Sequence, residues 1–316
     1  MKVRQLSAWE RRSSANGTRN GSAGFVARCR RKHRLNCVEI GVLLMIKTRT
    51  GLIGGGNMAR AIAGGLLRGG MHANNVMIAE PRPGQCELLR QELHGVLVTE
   101  NNALVAADAE TLLFAVKPQI LRSVCENLRD IVQQRKPLIM SIAAGPRIDD
   151  IDTWLGGGLR VVRVMPNQPA LIDQGISALF ANSRTDGPGR LMAEKIMSAV
   201  GEIVWMDSES RMDAVTAVSG TGPAYFYFLI DVMIETAIEL GIDPKTARTL
   251  AVETARGATA LAAAQHEPMP QMIERVRSPG GTTTAAFEYL EKADARGIFA
   301  QAIVAARDRA AELANS

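Results

Sequence analysis

Three consecutive threonines follow a Pro-Gly-Gly turn near the end of the sequence, in Arg277-Ser-Pro-Gly-Gly-Thr-Thr-Thr284. Two interpretations of this stretch are open. In the first, the turn ends one helix and a threonine hydroxyl caps the next, which is a purely structural role. In the second, the free N–H groups at the helix start act together with the hydroxyls and bind a small anion.

A second stretch able to do chemistry is Gly51-Leu-Ile-Gly-Gly-Gly-Asn-Met-Ala-Arg60, which has the pattern of a strand, a glycine turn and a helix. Within it, Gly54 permits the tight turn, Gly56 lets the backbone approach a pyrophosphate, and Ala59 is small enough for the helix to pack on the strand. The N–H groups and dipole of that helix then hold the phosphates. The stretch therefore predicts a dinucleotide site.

The residues that follow the next two predicted strands bear on the same site. In Ala79-Glu-Pro-Arg82, Glu80 suits a ribose hydroxyl and favours NADH, whereas Arg82 suits the 2′-phosphate of NADPH. The alternative is a solvated surface ion pair, and the sequence does not choose between the cofactors. Lys117 follows the third strand and is either a ligand contact or half of a structural ion pair.

Short apolar runs alternate with helical patterns between about residues 48 and 180, which is typical of βαβ units and a parallel sheet. Beyond Arg211 the pattern changes to long Ala-rich helices. The predicted strands are 51–53, 76–79, 111–116, 138–142, 160–164 and 176–180. The predicted helices are 57–68, 83–93, 222–240, 244–265, 271–276, 282–291 and 295–314.

Four aromatic residues stand in a row within the helix predicted for residues 222–240: Tyr225, Phe226, Tyr227 and Phe228. A helix that is apolar on every side must be buried on every side. A helical domain of about 100 residues is too small to cover it alone. We therefore predict a homo-oligomer.

The positive charge of the chain lies in its first part. Residues 1–46 contain ten Lys and Arg against two acids, a net charge of +8, so the remainder of a chain with net charge +5 carries −3. That balance argues against nucleic-acid binding. The segment has no periodicity and is predicted to be disordered. We favour a dispensable extension, with the natural start near Met45, over a basic interaction arm or a targeting segment.

The four cysteines lack the spacing of a zinc site or of a disulfide framework, so we predict no metal and a cytoplasmic location. No apolar run approaches the roughly 20 residues of a membrane span, and no membrane association is expected. The partner implied is a small-molecule substrate.

Taken together, the motifs resemble those of the pyrroline-5-carboxylate reductases. The resemblance runs over about residues 50–314, in family order, with departures at Gln168 and Thr221. The stretches that carry it are Gly54-Gly-Gly-Asn-Met-Ala59, Ala115-Val-Lys-Pro118, Ser141-Ile-Ala-Ala-Gly145, Arg163-Val-Met-Pro-Asn-Gln-Pro169, Asp213-Ala-Val-Thr-Ala-Val-Ser-Gly-Thr-Gly-Pro-Ala-Tyr225 and Ser278-Pro-Gly-Gly-Thr-Thr283.

The resemblance implies an α/β fold, with a Rossmann NAD(P)-binding domain at 47–208 and an all-α dimerisation and substrate domain at 209–316. It implies reduction of L-1-pyrroline-5-carboxylate to L-proline by NADPH or NADH, the last step of proline biosynthesis. It also implies a homodimer that assembles into a higher oligomer such as a decamer.

Site residues follow from the same resemblance, position by position. Thr283 is expected to face the ring nitrogen and is the catalytic candidate. The expected cofactor contacts are Gly54, Gly56, Asn57, Met58, Glu80, Asn102, Val116, Lys117 and Ala144. The expected substrate contacts are Glu209, Ser278, Gly281, Thr282 and Thr283.

Two other classes of protein remain open on the residues alone. One is a different small-molecule oxidoreductase with the same plan, such as a 3-hydroxyacid or imine reductase, which would share the glycine loop but not Ser278 to Thr283. The other is a non-catalytic binder of pyridoxal phosphate or of a nucleotide. A binder of that kind would show no oxidation of NAD(P)H with pyrroline-5-carboxylate.

Overall fold

The computed structural model of the protein describes residues 48–314. The predicted basic leader, residues 1–46, lies outside this range. Within it, an eight-stranded sheet comes first and a set of helices follows.

The sheet has the strand order β3-β2-β1-β4-β5-β6-β7-β8. The first six strands in the chain run parallel, β7 pairs antiparallel with β6, and β8 runs parallel to β7. The strands are β1 (Thr50–Ile53), β2 (Val76–Ala79), β3 (Leu97–Thr99), β4 (Thr111–Phe114), β5 (Leu138–Ser141), β6 (Val161–Met165), β7 (Gly175–Ala181) and β8 (Gly201–Trp205).

Helices cover both faces of the sheet and then continue alone beyond it. The α-helices are α1 (Asn57–Arg68), α2 (Pro83–Glu92), α3 (Asn102–Asp108), α4 (Pro118–Arg135), α5 (Ile148–Trp154), α6 (Gly187–Ser198), α7 (Met212–Val215), α8 (Gly222–Glu239), α9 (Pro244–Ala264), α10 (Met269–Val276), α11 (Thr282–Lys292) and α12 (Ala295–Ala314). A 3-10 turn, Glu209–Arg211, precedes α7, and a π-helical segment, Thr216–Gly220, joins α7 to α8.

The central strands of the sheet are mostly apolar and are buried at every position. β1, β2, β4 and β5 have no exposed residue. Successive side chains of a strand point to opposite faces, so Leu52 joins one apolar cluster and Ile53 the other. The first cluster includes Ile62 of α1, and the second includes Leu121 of α4. Such continuous apolar strands are typical of a parallel sheet covered by helices.

All six predicted strands are present, but two strands were missed and one direction was wrong. β3 has only three residues, one of them exposed, and β8 alternates between exposed and half-buried side chains, so neither forms an apolar run. The expectation of a parallel sheet fails at β7. The link from β6 to β7 holds only the short 3-10 helix Gln168–Ile172, whereas a parallel return needs a longer crossover.

In the helical region, α8 packs on α9, while α12 packs on α7 and on the π-helical segment. In a single chain α8 buries only Gly222, and Phe226 and Phe228 are 52% and 59% exposed. The stretch Glu209–Glu239 is long and apolar enough to cross a membrane by length and composition alone. The face formed by the aromatic residues of α8 therefore requires a cover.

Candidate functional site

In the glycine loop between β1 and α1, position 54 has room for glycine only. Gly54 has φ of +99°, and its N–H donates to the Ala79 carbonyl at 2.7 Å. A Cβ added there would lie 2.8 Å from the Ala115 carbonyl oxygen. Gly54 thus brings the carboxyl ends of β1, β2 and β4 into contact, at the point where the strand order reverses and where ligands bind such sheets.

Gly56 faces open space instead. It is the N-cap of α1, and no side chain of the described residues caps that helix. A Cβ at Gly56 would meet nothing within 4 Å. The first N–H groups of α1 therefore point into a free volume of the kind that accepts a phosphate. Asn57 is exposed beside it, and Met58 is half-buried against the core.

The Glu80 carboxylate is hydrogen-bonded to the backbone of the glycine loop. The residue is 3% exposed; its Oε2 accepts from the Gly55 N–H at 2.9 Å, and its Oε1 accepts from Arg82 Nε at 2.7 Å. Burial raises the pKa of the carboxyl, but the hydrogen bonds from Arg82 and Gly55 outweigh it, so the pKa is held below its usual value. The Glu80 carboxylate of this pair is thus buried, whereas the Arg82 side chain is 68% exposed. The predicted contact of Glu80 with a ribose stays a prediction.

The other predicted cofactor contacts lie along the same edge of the sheet. Lys117 is exposed, and no described carboxylate is within ion-pair distance of it, so the structural ion pair is not formed. A Cβ at Gly54 would lie 3.1 Å from Val116 Cγ1, which makes these two residues neighbours. Asn102 begins α3, just after the edge strand β3, and Ala144 lies in the turn after β5.

The C-terminal end of α12 packs against the turn that contains Ala144. A Cβ added at Gly145, the residue after Ala144, would lie 2.7 Å from the Leu313 carbonyl oxygen. Gly145 also has φ of +104°, which side chains rarely tolerate. The helical region thereby reaches the edge of the sheet where the cofactor contacts are predicted.

A buried ion-pair network joins the sheet to the helical region, and sequence reasoning assigned no role to its centre. Arg163, in the middle of β6, is 3% exposed. Its Nη1 lies 3.2 Å from Glu209 Oε1, and its Nη2 lies 3.6 Å from Asp213 Oδ1. An arginine inside an apolar strand is the signal that would have found it, because a buried cation needs partners.

Glu209, predicted as a substrate contact, has structural partners in a single chain. Its Oε1 accepts from Arg163 and also from the Ile148 N–H at 2.9 Å, which lies at the start of α5. The carboxylate thus ties the segment after β5 to the segment before α7. The substrate contact stays a prediction.

Two motifs that are distant in sequence meet at the π-helical segment. A Cβ at Gly220 would lie 2.4 Å from Met165 Cε, so the segment packs closely on the end of β6. The Tyr225 hydroxyl donates to the Ala217 carbonyl at 3.2 Å, and the Thr221 hydroxyl donates to the Thr216 carbonyl at 3.1 Å. Such π-segments are rare and are found mostly at functional sites.

In the threonine stretch, no threonine hydroxyl caps α11, so the capping interpretation is wrong. Gly281 is the N-cap of α11, and among the described residues no side chain caps this helix. The Thr284 hydroxyl donates backwards to the Ser278 carbonyl at 2.7 Å, and the Gly281 N–H donates to the same oxygen at 2.9 Å. The N–H groups of Thr282 and Thr283 are left open at the helix start.

No hydrogen bond or ion pair within the described chain links this loop to the cofactor edge. None of the hydrogen bonds or ion pairs of residues 48–314 joins Ser278 to Thr283 with the residues after β1, β2, β4 or β5. Glu209, the remaining predicted substrate contact, is bonded to Arg163 and Ile148 instead of to the loop.

Comparison with known proteins identifies the family. Residues 209–313 match the family model for pyrroline-5-carboxylate reductase dimerisation, and residues 49–145 match that for coenzyme F420-dependent NADP oxidoreductases. The chain is 39% identical over 270 residues to the pyrroline-5-carboxylate reductase of Pseudomonas aeruginosa, covering 85% of this chain and 98% of that protein. This chain belongs to the pyrroline-5-carboxylate reductase family.

A plant relative and solved structures support the same family assignment. The pyrroline-5-carboxylate reductase of Pisum sativum is 32% identical over 277 residues, 87% of this chain and all of that protein. The Coxiella burnetii reductase structure superposes with a TM-score of 0.79 at 37% identity, over 85% of this chain and 99% of that one. A Plasmodium falciparum reductase with NADP bound gives 0.77 at 25% identity, over 85% and 99%.

Family membership confirms several predictions. The fold is a Rossmann domain followed by an all-α dimerisation domain, and the chain is an NAD(P)H-dependent oxidoreductase. The dimerisation match covers residues 209–313, which include α8, and it supports a homo-oligomer. The readings of this chain as a non-catalytic binder and as a reductase of another family are set aside.

Proposed function

We infer that this protein reduces L-1-pyrroline-5-carboxylate to L-proline with NADPH or NADH, the last step of proline biosynthesis. The observation that carries the inference is the near full-length similarity to the Pseudomonas aeruginosa reductase, combined with an open glycine loop and an uncapped threonine helix in the structure. The substrate is a cyclic imine that bears a carboxylate, so the site must hold an anion and orient a ring.

For the cofactor, we propose that the glycine loop holds the pyrophosphate. The free volume at Gly56 and the uncapped start of α1 fit this group. Glu80 and Asn102 lie toward the adenosine, and Val116, Lys117 and Ala144 lie toward the nicotinamide. The chemistry that the bound cofactor supplies is a hydride for the imine carbon. The remaining proposed contacts are Gly54, Asn57 and Met58.

For the substrate, the start of α11 offers an anion site. The open N–H groups of Thr282 and Thr283 suit the carboxylate. The Gly281 N–H does not take part, because it is donated to Ser278. Instead, Gly281 keeps the loop compact, since a Cβ there would lie 2.3 Å from Ser278 Oγ. Ser278 shapes the loop through its carbonyl, and Glu209 is retained as a proposed contact.

Thr283 then holds the ring nitrogen. A threonine hydroxyl is a poor acid near neutral pH, so its role is to orient the protonated imine through a hydrogen bond. With the imine carbon held about 3–3.5 Å from the hydride donor, orientation supplies much of the rate. The reaction requires no nucleophile and no metal from the chain.

The domain limits, assembly and location complete the proposal. Residues 47–208 bind the cofactor, and residues 209–316 provide dimerisation and the substrate loop. The dimers assemble further into a ring such as a decamer. The protein acts in the cytoplasm, where free thiols such as buried Cys86 and Cys125 stay reduced.

The testing experiment is a spectrophotometric assay of NADPH and of NADH oxidation with pyrroline-5-carboxylate. Both the full chain and a chain that begins at Met45 are assayed, with a 3-keto acid as the control substrate. We expect turnover with pyrroline-5-carboxylate only, in both chains. Oxidation of neither cofactor with the imine would refute the proposal.

A further inference from the structure

Arg277, the residue immediately before the substrate loop, has a set of contacts that the proposed reaction does not use. Its side chain is 19% exposed, and its Nη1 lies 2.9 Å from Glu291 Oε1 and 3.1 Å from Glu274 Oε1. Its guanidinium carbon lies 5.3 Å from the centre of the Phe287 ring. Glu274 belongs to α10, whereas Phe287 and Glu291 belong to α11. One cation thus contacts the helices on both sides of the loop.

The loop itself contains residues that allow its backbone to turn. The two hydrogen bonds to the Ser278 carbonyl set its internal shape. However, Gly280 has φ of +67° and Gly281 has no side chain, so the backbone between α10 and α11 is intrinsically free to turn. The angle between the two helices, and with it the direction of the open N–H groups, depends on contacts such as those of Arg277.

Arg277 is a poor receptor for the substrate's own anion. Its single charge faces two carboxylates, so the local balance is −1, and the guanidinium also lies over an aromatic ring. An incoming carboxylate would have to displace Glu274 or Glu291. The chemistry of the cluster therefore suits the holding of helices rather than the binding of a ligand.

We propose that Arg277 is a positioning residue for the substrate carboxylate. It fixes α11 against α10 so that the N–H groups of Thr282 and Thr283 converge on one anion. The planar guanidinium meets both carboxylates and the Phe287 ring together, which a lysine ammonium cannot do. This proposal rests on the anion site proposed above for the start of α11.

The test compares Arg277→Gln and Arg277→Lys with the unaltered protein. For Arg277→Gln we expect KM for pyrroline-5-carboxylate to rise about 10-fold, since a misdirected helix start loses its grip on the anion. We expect kcat to change by less than about threefold and the Kd of NADPH, measured by fluorescence titration, to change by less than about twofold. Arg277→Lys should give an intermediate KM.

The matched control is Arg256→Gln on α9. Arg256 pairs only with Glu253, on its own helix, and its side chain is 74% exposed. All constants should stay unchanged in that variant. An unchanged KM in Arg277→Gln would overturn the proposal. So would a parallel loss of Tm, NADPH affinity and kcat, because a merely structural residue would produce that pattern.

The failure of this proposal can be told from the failure of the proposed function. If the unaltered protein does not reduce pyrroline-5-carboxylate, the function itself is wrong, and Arg277 has no substrate to position. If the unaltered protein is active and Thr283→Ala is impaired while Arg277→Gln keeps its KM, only the positioning role is refuted.

Discussion

At the scale of the residue, a substitution of Thr283 is the most direct test of the proposed chemistry. Among the described residues the Thr283 hydroxyl has no hydrogen-bond partner, whereas the Thr284 hydroxyl donates to the Ser278 carbonyl. Thr283→Ala should lower kcat/KM for pyrroline-5-carboxylate about 10-fold or more, because one hydrogen bond to the ring nitrogen is worth about 1.4 kcal/mol. The Kd of NADPH should stay nearly unchanged. Thr249→Ala, which removes an exposed hydroxyl from α9, is the control and should keep full activity. An unchanged kcat/KM in Thr283→Ala would refute the role.

At the scale of the element, a substitution in the loop from β1 to α1 can test cofactor binding without disturbing the fold. A Cβ at Gly56 meets open space, so Gly56→Ala should fold with a Tm close to that of the unaltered protein. The same methyl group would occupy the place of a pyrophosphate, and we expect the Kd of NADPH in a fluorescence titration to rise about 10-fold or more. Gly84→Ala, in the first turn of α2, also points into open space and serves as the control. Equal affinity in both variants would show that the phosphates bind elsewhere.

At the scale of the whole molecule, we expect the aromatic face of α8 to form part of the subunit interface of the homo-oligomer. Phe228 is 59% exposed in one chain, on a helix within the dimerisation match. Phe228→Glu would place an unpaired carboxylate in that interface, at a cost of several kcal/mol. We expect light scattering at micromolar concentration to show a smaller species than for the unaltered protein. Glu239→Gln, at the end of the same helix, should keep the original mass. The unaltered protein also tests the decamer, since a mass of two chains would exclude the ring.

Much of the fold was readable from local patterns. The helix at Asn57–Arg68 and the strand at Val76–Ala79 have the predicted limits, because a glycine turn and a polar flank bound each apolar stretch. β8 was missed because its stabilisation comes from pairing with β7 rather than from its own apolar side chains. Likewise, the antiparallel direction of β7 follows from its short connection to β6, which a search for apolar runs does not measure.

The sequence by itself determined the glycine loop, the threonine loop and the motifs that define the family, because each depends on neighbours within about ten residues. Only the tertiary structure decided which polar and charged groups already have partners within the protein. It showed Glu80 bonded to Gly55, the Gly281 N–H donated to Ser278, and Arg163 buried between two carboxylates. Hydrogen bonds and ion pairs of this kind join atoms that the chain brings together from distant positions, so their occupancy is a property of the packed molecule.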